Sequence, residues 1–228
     1  MRSLDVTIPV SADESVSGVL VVPQGFAAGR TAAVIVAHGA GNDMHTPLLV
    51  HFSAGLCRAG YLGLRFNFPY EEKGQKAPDP QEKLVRTWQA AFDFVYNHPQ
   101  FGTPRIVAAG KSMGGRIASQ MAADGLVSPK ALVFLGYPLH PPGRKEQLRD
   151  AHLYRINIPM LFFAGTRDAL CDLELLKPVV SRLKAPTDLE VIEGGDHSFV
   201  LPKSFKVSEQ EVCDRILKRT IAWLNQAD

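Results

Sequence analysis

A short apolar run followed by a helix-length segment recurs along this chain, and few folds can use that alternation. TAAVIVAHG (31–39), YLGLRFNFP (61–69), RIVAAG (105–110), KALVFLGYP (130–138), PMLFFAGTRD (159–168) and DLEVIEGG (188–195) read as strands. The first is apolar nearly throughout, as expected of a strand covered on both faces. Between them lie segments of helical character: Pro47 to Arg58 with Leu48, Leu49, Phe52 and Leu56 at helical spacing, and Gln81 to Asn97, closed by His98-Pro99. Met113 to Ala123, Leu173 to Leu183 and Ser208 to Asn225 complete the set, the last with Val212, Ile216, Ile221 and Leu224 on its apolar side. EEKGQKAPDP (71–80) reads as a polar loop. Two alternating runs, Asp5 to Val10 and Val16 to Pro23, flank the polar turn SADES and predict an antiparallel hairpin. Strands alternating with helices imply a mostly parallel sheet between two helical layers, a three-layer α/β fold.

At 228 residues, with short linkers, no internal repeat and no shift in composition, the chain is expected to form one domain over 1–228. Only about twenty residues separate the strand ending near Pro138 from the next at Pro159, too few for an inserted cap domain. The net charge of +2 is too balanced for a nucleic-acid or membrane-surface binder. Cys57, Cys171 and Cys213 are widely spaced and odd in number, which reads as free thiols in a reducing compartment. The N-terminus shows no apolar signal region, and no run approaches the roughly 18 apolar residues of a membrane span. The expected location is cytoplasmic. No metal-ligand spacing, P-loop or dinucleotide fingerprint is present, so no cofactor and no metal are expected.

Gly110-Lys111-Ser112-Met113-Gly114 matches G-x-S-x-G, placed after an apolar strand and before an Ala-rich helix. A sharp strand-to-helix turn needs small residues on either side, and it lifts the serine hydroxyl clear of the sheet above a helix N-terminus. The bland alternative is a Gly-rich turn with an N-capping serine. A weak nucleophile needs a base. His197, in EGGDHSF just beyond the last strand, has a loop setting that lets an imidazole reach across the strand ends. Asp168 closes FFAGTRD, and it is the acid expected to orient that imidazole; Asp172 is the fallback, and Asp196 is too close to the histidine in sequence.

The chain order Ser112, Asp168, His197 differs from the orders on chymotrypsin-like and subtilisin-like scaffolds. An oxyanion hole requires two converging amides. Met113 supplies one, and the loop HGAGNDMHTP (38–47) the other, Ala40 first and Gly41 second, with His38 and Asp43 organising that loop. His140, in GYPLHPPGRKEQ, is a candidate wall of the substrate pocket, or part of a rigid polar loop. Asn67 and Tyr70 are candidates for polar contacts in the pocket, or for anchoring a loop, and Arg116 is expected in a buried salt bridge.

HGAGNDMHTP, GKSMGGRIAS, GYPLHPPG, FFAGTRD and GGDHSF together resemble an α/β-hydrolase over essentially the whole chain. The likeness is to the small, capless dienelactone-hydrolase-like branch. Within it, the chain is similar to the group of testis-expressed-protein-type hydrolase-like proteins and the hydrolase-like domain of a histone-acetyltransferase-complex subunit. The resemblance implies an eight-stranded, mostly parallel sheet, with Ser112 as nucleophile, His197 as base and Asp168 as orienter. Dienelactone hydrolases proper typically carry a cysteine nucleophile where this chain has Ser112, so dienelactone is not the implied substrate. The expected activity is hydrolysis of a small acyl ester or thioester. A non-catalytic scaffold, and acyl transfer or perhydrolysis by the same triad, stand as alternatives.

Overall fold

A computed structural model describes residues 1–227. The strands are β1 (Arg2–Pro9), β2 (Ser15–Val22), β3 (Ala33–Ala37), β4 (Leu62–Phe66), β5 (Ile106–Lys111), β6 (Ala131–Leu135), β7 (Met160–Gly165) and β8 (Thr187–Ile192). They form one eight-stranded sheet in the order β1-β2-β4-β3-β5-β6-β7-β8. The N-terminal hairpin β1–β2 is antiparallel, β2 meets β4 antiparallel, and every later pairing is parallel.

The helices are α1 (Pro47–Arg58), α2 (Pro69–Glu72), α3 (Gln81–Asn97), α4 (Met113–Ala123), α5 (Leu173–Ser181) and α6 (Glu209–Ala227). Alternation along each strand divides the interior into two layers. Ile35, Ala108, Phe134 and Phe162 pack with Trp88 of α3, Ile117 of α4 and Leu176 of α5 on one face. Val36, Val107, Val133 and Phe163 pack with Phe52 of α1 and Ile216 of α6 on the other. Each such large side chain, fully withdrawn from water, contributes about 1.5–3 kcal/mol. At Gly55 the contact between α1 and α6 is close enough that a Cβ would stand 2.1 Å from a Leu217 methyl.

Local chemistry sets the helix ends. Pro47 opens α1 from the first turn, where its missing N–H has no helical partner to lose. Pro99 forces His98 out of the helical region, to φ −60°, ψ 126°, and α3 stops there. Across the junction of the segments read as strand (61–69) and polar loop (71–80), the structure adds the single turn of α2, which starts at Pro69 and is held by the Tyr70 amide donating to Asp79 Oδ2 at 2.7 Å. The β6–β7 connection contains one 3-10 turn, Leu153–Arg155, and among the described residues no cap covers the sheet rim. No helix among the described residues is long and apolar enough to cross a membrane.

The sheet order also places the site. From β3 the chain moves outward to β4, then returns past β3 to β5 and continues the other way. Loops leaving the C-terminal ends of β3 and β5 therefore diverge, and a crevice opens between them. The segment after β3 begins at His38, and the one after β5 is Ser112.

Candidate active site

Ser112 joins β5 to α4 at φ +50°, ψ −115°, a backbone conformation that costs a non-glycine residue about 1–3 kcal/mol. The flanking glycines make the turn possible. A Cβ on Gly110 would stand 2.2 Å from the Gly115 nitrogen, and one on Gly114 would stand 2.6 Å from the His38 carbonyl oxygen. From α3, the Trp88 indole donates to the Gly114 carbonyl at 3.0 Å and fixes the first turn of α4. The Ser112 side chain does not cap that helix, so the capping alternative fails.

The Ser112 hydroxyl lies 2.8 Å from His197 Nε2. His197 Nδ1 lies 2.9 Å from Asp168 Oδ1 and 2.8 Å from Oδ2. An ionised carboxylate only accepts, so Nδ1 carries the proton and Nε2 offers its lone pair to the serine hydroxyl. The Asp168 side chain has no exposed surface, and its Oδ1 also accepts from the Leu170 amide at 2.8 Å. The competing acids are committed elsewhere. Asp172 caps α5 through the Glu174 amide and pairs with Lys145, while Asp196 Oδ1 accepts from Ser198 and Val200 amides and braces the histidine loop.

The Met113 amide is the first of α4 and has no carbonyl a turn earlier to receive it. The loop after β3 begins against Ser112, since a Cβ on Gly39 would lie 3.3 Å from Ser112 Cβ. Buried His38 holds this loop. Its Nδ1 lies 2.8 Å from the Gly39 carbonyl and its Nε2 accepts from the Phe68 amide at 3.0 Å, while burial lowers its pKa and keeps it neutral. Asp43 accepts from the His45 amide at 2.7 Å. Ala40 is exposed at the turn, while the Gly41 amide bears on the Tyr70 hydroxyl.

Of the two readings open for Tyr70, Asn67 and His140, the loop role holds and the pocket role is corrected. Tyr70 is fully buried, its phenol is pushed up to about 12 by desolvation, and its hydroxyl donates to the Gly39 carbonyl at 3.2 Å. It therefore supports the loop after β3 from below and cannot wall an open pocket. Asn67 Oδ1 accepts from the Met44 amide at 2.9 Å, which also makes it a loop anchor. His140 is 1% exposed; its Nδ1 lies 2.9 Å from the Pro141 carbonyl and its Nε2 accepts from the Asp172 amide, tying the β6–β7 connection to the acid loop. Arg116 donates to Gln120 Oε1 at 3.2 Å, with no carboxylate in ion-pair range among the described residues, so the expected salt bridge is absent. Cys171 is buried, and desolvation pushes its thiol up to about 12, which leaves it unreactive.

The cavity beside this triad was not read from the sequence. It measures about 350 Å³ and opens between the start of α1, the start of α6 and the loop after His197. Its wall includes Gly39, Lys111 and Ser198, residues next to or one short of the reacting positions. A signal for Lys111 existed: Val107 and Ala109 face the α1–α6 layer, and period-2 alternation carries Lys111 to the same side.

A family model for an alpha/beta hydrolase domain matches residues 30–225. Among solved structures, a dienelactone hydrolase from Anabaena variabilis superposes with a TM-score of 0.76 at 21% identity, covering 99% of this chain and 97% of its own. A lidless α/β serine hydrolase from Xanthomonas campestris gives 0.66 at 17% identity, with 100% and 94% covered. Thermogutta terrifontis esterase 2, phosphoramylated by tabun, gives 0.76 at 17% identity, with 98% and 94% covered. At such identities the structures speak for the fold, in its capless, dienelactone-hydrolase-like form. By the extent of the family match, the chain belongs to the alpha/beta hydrolase family.

Proposed function

We propose that the protein is a serine hydrolase that cleaves carboxylic esters or thioesters through an acyl-enzyme on Ser112. The observation that carries the reading is the unbroken line from Ser112 through His197 to buried Asp168, with hydrogen bonds of 2.8–2.9 Å, at a serine whose backbone is strained. Strain of that kind persists only where the surroundings enforce it, and it clusters at reactive positions. Ser112 Oγ attacks the carbonyl carbon as its proton passes to His197 Nε2. Asp168 holds the tautomer and stabilises the imidazolium. The amides of Met113 and Ala40 receive the oxyanion. Collapse expels the alkoxide or thiolate, which takes the proton from Nε2. Water then attacks the acyl-enzyme with His197 as base, and the second collapse returns the proton to Ser112 and releases the acid.

The test is covalent labelling with a fluorophosphonate, run beside a series of p-nitrophenyl esters of increasing chain length. One adduct per chain, lost together with turnover in Ser112→Ala, supports the hydrolase. A folded protein that takes no adduct and cleaves no ester is instead a scaffold on this fold. Partition of the acyl group between water and added alcohol or peroxide separates hydrolysis from acyl transfer and perhydrolysis, and products from water alone support hydrolysis.

A further inference from the structure

Lys111 is the charged residue of the nucleophile elbow, and its ammonium has no counter-ion. Among the described residues nothing forms a hydrogen bond or an ion pair with Nζ, and the interaction it makes is with the Phe199 ring, whose centroid is 5.8 Å away. The two carboxylates whose field reaches it are engaged elsewhere, Asp168 by His197 and Leu170, and Asp196 by the amides of its own loop. Nζ stands close to the chain at Gly136, 3.2 Å from where a Cβ on that residue would lie. Lys111 is half-buried, and drawing a cation even partly out of water without a partner is costly. Desolvation accordingly pulls Lys111 down to about 8, against the opposing pull of Asp168 and Asp196.

The surroundings are shaped around this cation. Phe199, which covers it, is held at φ +64°, a left-handed conformation that a non-glycine residue seldom adopts. Beyond Lys111 lies the cavity of about 350 Å³, at the small end of ligand pockets. Leu48, Leu49, Val200 and Val212 give it an apolar lining. Of the other polar groups on its wall, Glu209 lies at the α6 end, and His51 Nε2 lies 2.8 Å from Asp214 Oδ1. An apolar slot whose wall includes Lys111, the residue before Ser112, suits an aliphatic chain that carries an acid.

We propose that this cavity receives the acyl chain of the substrate and that the chain carries a carboxylate for which Lys111 is the counter-ion. The preferred substrates are then half-esters or half-thioesters of short dicarboxylic acids. This rests on the serine-hydrolase reading above and narrows it to a substrate class.

The experiment compares kcat/KM for monoethyl adipate and ethyl hexanoate, the same chain with and without the terminal acid, in the full-length protein. At pH 7 the expected ratio is about tenfold or more in favour of the half-ester, as a charge-assisted hydrogen bond provides. In Lys111→Met the ratio falls to one or below. A second reading needs no variant: in the wild type the ratio declines as pH rises through about 8 and the amine loses its proton. Because both esters are cleaved by the same triad, titration of the catalytic groups cancels in the ratio. Ser112-dependent cleavage of ethyl hexanoate without preference for the half-ester overturns the proposal and leaves the hydrolase standing. A preference that survives Lys111→Met overturns it equally, as does one seen only for acids on the alcohol side, such as the acetate ester of a hydroxy acid over hexyl acetate. If neither ester is cleaved and Ser112 takes no fluorophosphonate, the hydrolase reading fails. Calorimetric titration with adipate and hexanoate then reads the site directly, and equal binding by wild type and Lys111→Met removes the anion site as well.

Discussion

His197 presents Nδ1 to both oxygens of Asp168, 2.9 Å from Oδ1 and 2.8 Å from Oδ2, with the carboxylate wholly shielded from water. A shielded carboxylate can do two things for the imidazole: fix its tautomer and offset its positive charge once it has taken the serine proton. Asp168→Asn removes the charge and lets an amide N–H oppose Nδ1, which favours the wrong tautomer. Ester hydrolysis is expected to fall about 10³- to 10⁴-fold in kcat, with KM changed little, on the scale seen when the acid of a serine-protease triad is neutralised. Steady-state kinetics beside a circular dichroism spectrum checks this. An active Asp168→Asn would move the orienting role elsewhere.

Gly114 packs the first turn of α4 against the end of β3, where a Cβ would lie 2.6 Å from the His38 carbonyl and 2.7 Å from that of Ala37. Backbone atoms on both sides leave no flexible group to yield. Gly114→Ala must push the helix start away from β3, which separates the Met113 amide from the Ala40 loop. The expected loss is about 1–3 kcal/mol of stability, as for overpacking elsewhere, together with a fall in kcat larger than that instability accounts for. Thermal unfolding and kinetics on the folded fraction measure the two parts separately.

Tyr70 and His38 both act on the Gly39 carbonyl, at 3.2 Å and 2.8 Å. Tyr70→Phe removes one of these bonds and leaves the other, so the loop should persist in a looser form. Net hydrogen-bond energetics put the stability loss at about 1 kcal/mol. A positioning role for Tyr70 predicts a kcat lowered several-fold at unchanged KM, because an oxyanion amide acts on charge that develops after binding. A KM effect alone would instead make Tyr70 a structural support with no bearing on the oxyanion loop.

The elements were legible because their signals are local. Pro47 starts α1, His98-Pro99 ends α3, and β3 to β7 are short, nearly continuous apolar runs. The positions of Ser112, Asp168 and His197 were legible for a related reason: Ser112 directly follows β5, Asp168 and His197 lie in the loops that leave β7 and β8, and parallel strands bring those ends to one rim. The pocket was not legible. Its walls come from Leu48 at the start of α1 and Val212 near the start of α6, residues far apart in sequence whose meeting depends on how two helices cross a sheet face. The choice between pocket and loop stayed open at His140 and Tyr70 for a different reason. Both are polar residues at strand ends, and whether such a side chain rises to the rim or folds beneath it depends on partners, Pro141 and Asp172 for one and Gly39 for the other, that no local pattern reveals.

His152 sits far from the triad yet sets an acid limit on stability. It is bonded through Nε2 to Ser119 Oγ at 2.8 Å, and the serine hydroxyl in turn donates to the Arg116 carbonyl at 2.8 Å. Burial first, then the charges of Arg116 and Arg155, lower its pKa from 6.5 to about 4. Between those values the unfolded chain binds a proton that the folded chain refuses, so stability increases with pH across the window and is lost as pH falls from about 6.5 towards 4. The contribution is at most about 3 kcal/mol. His152→Gln keeps an N–H for Ser119 but does not titrate, so its denaturant midpoint should vary less between pH 4 and pH 7 than that of the wild type. Parallel urea titrations across that range measure the difference. Equal slopes in the two proteins would assign the acid sensitivity to other groups.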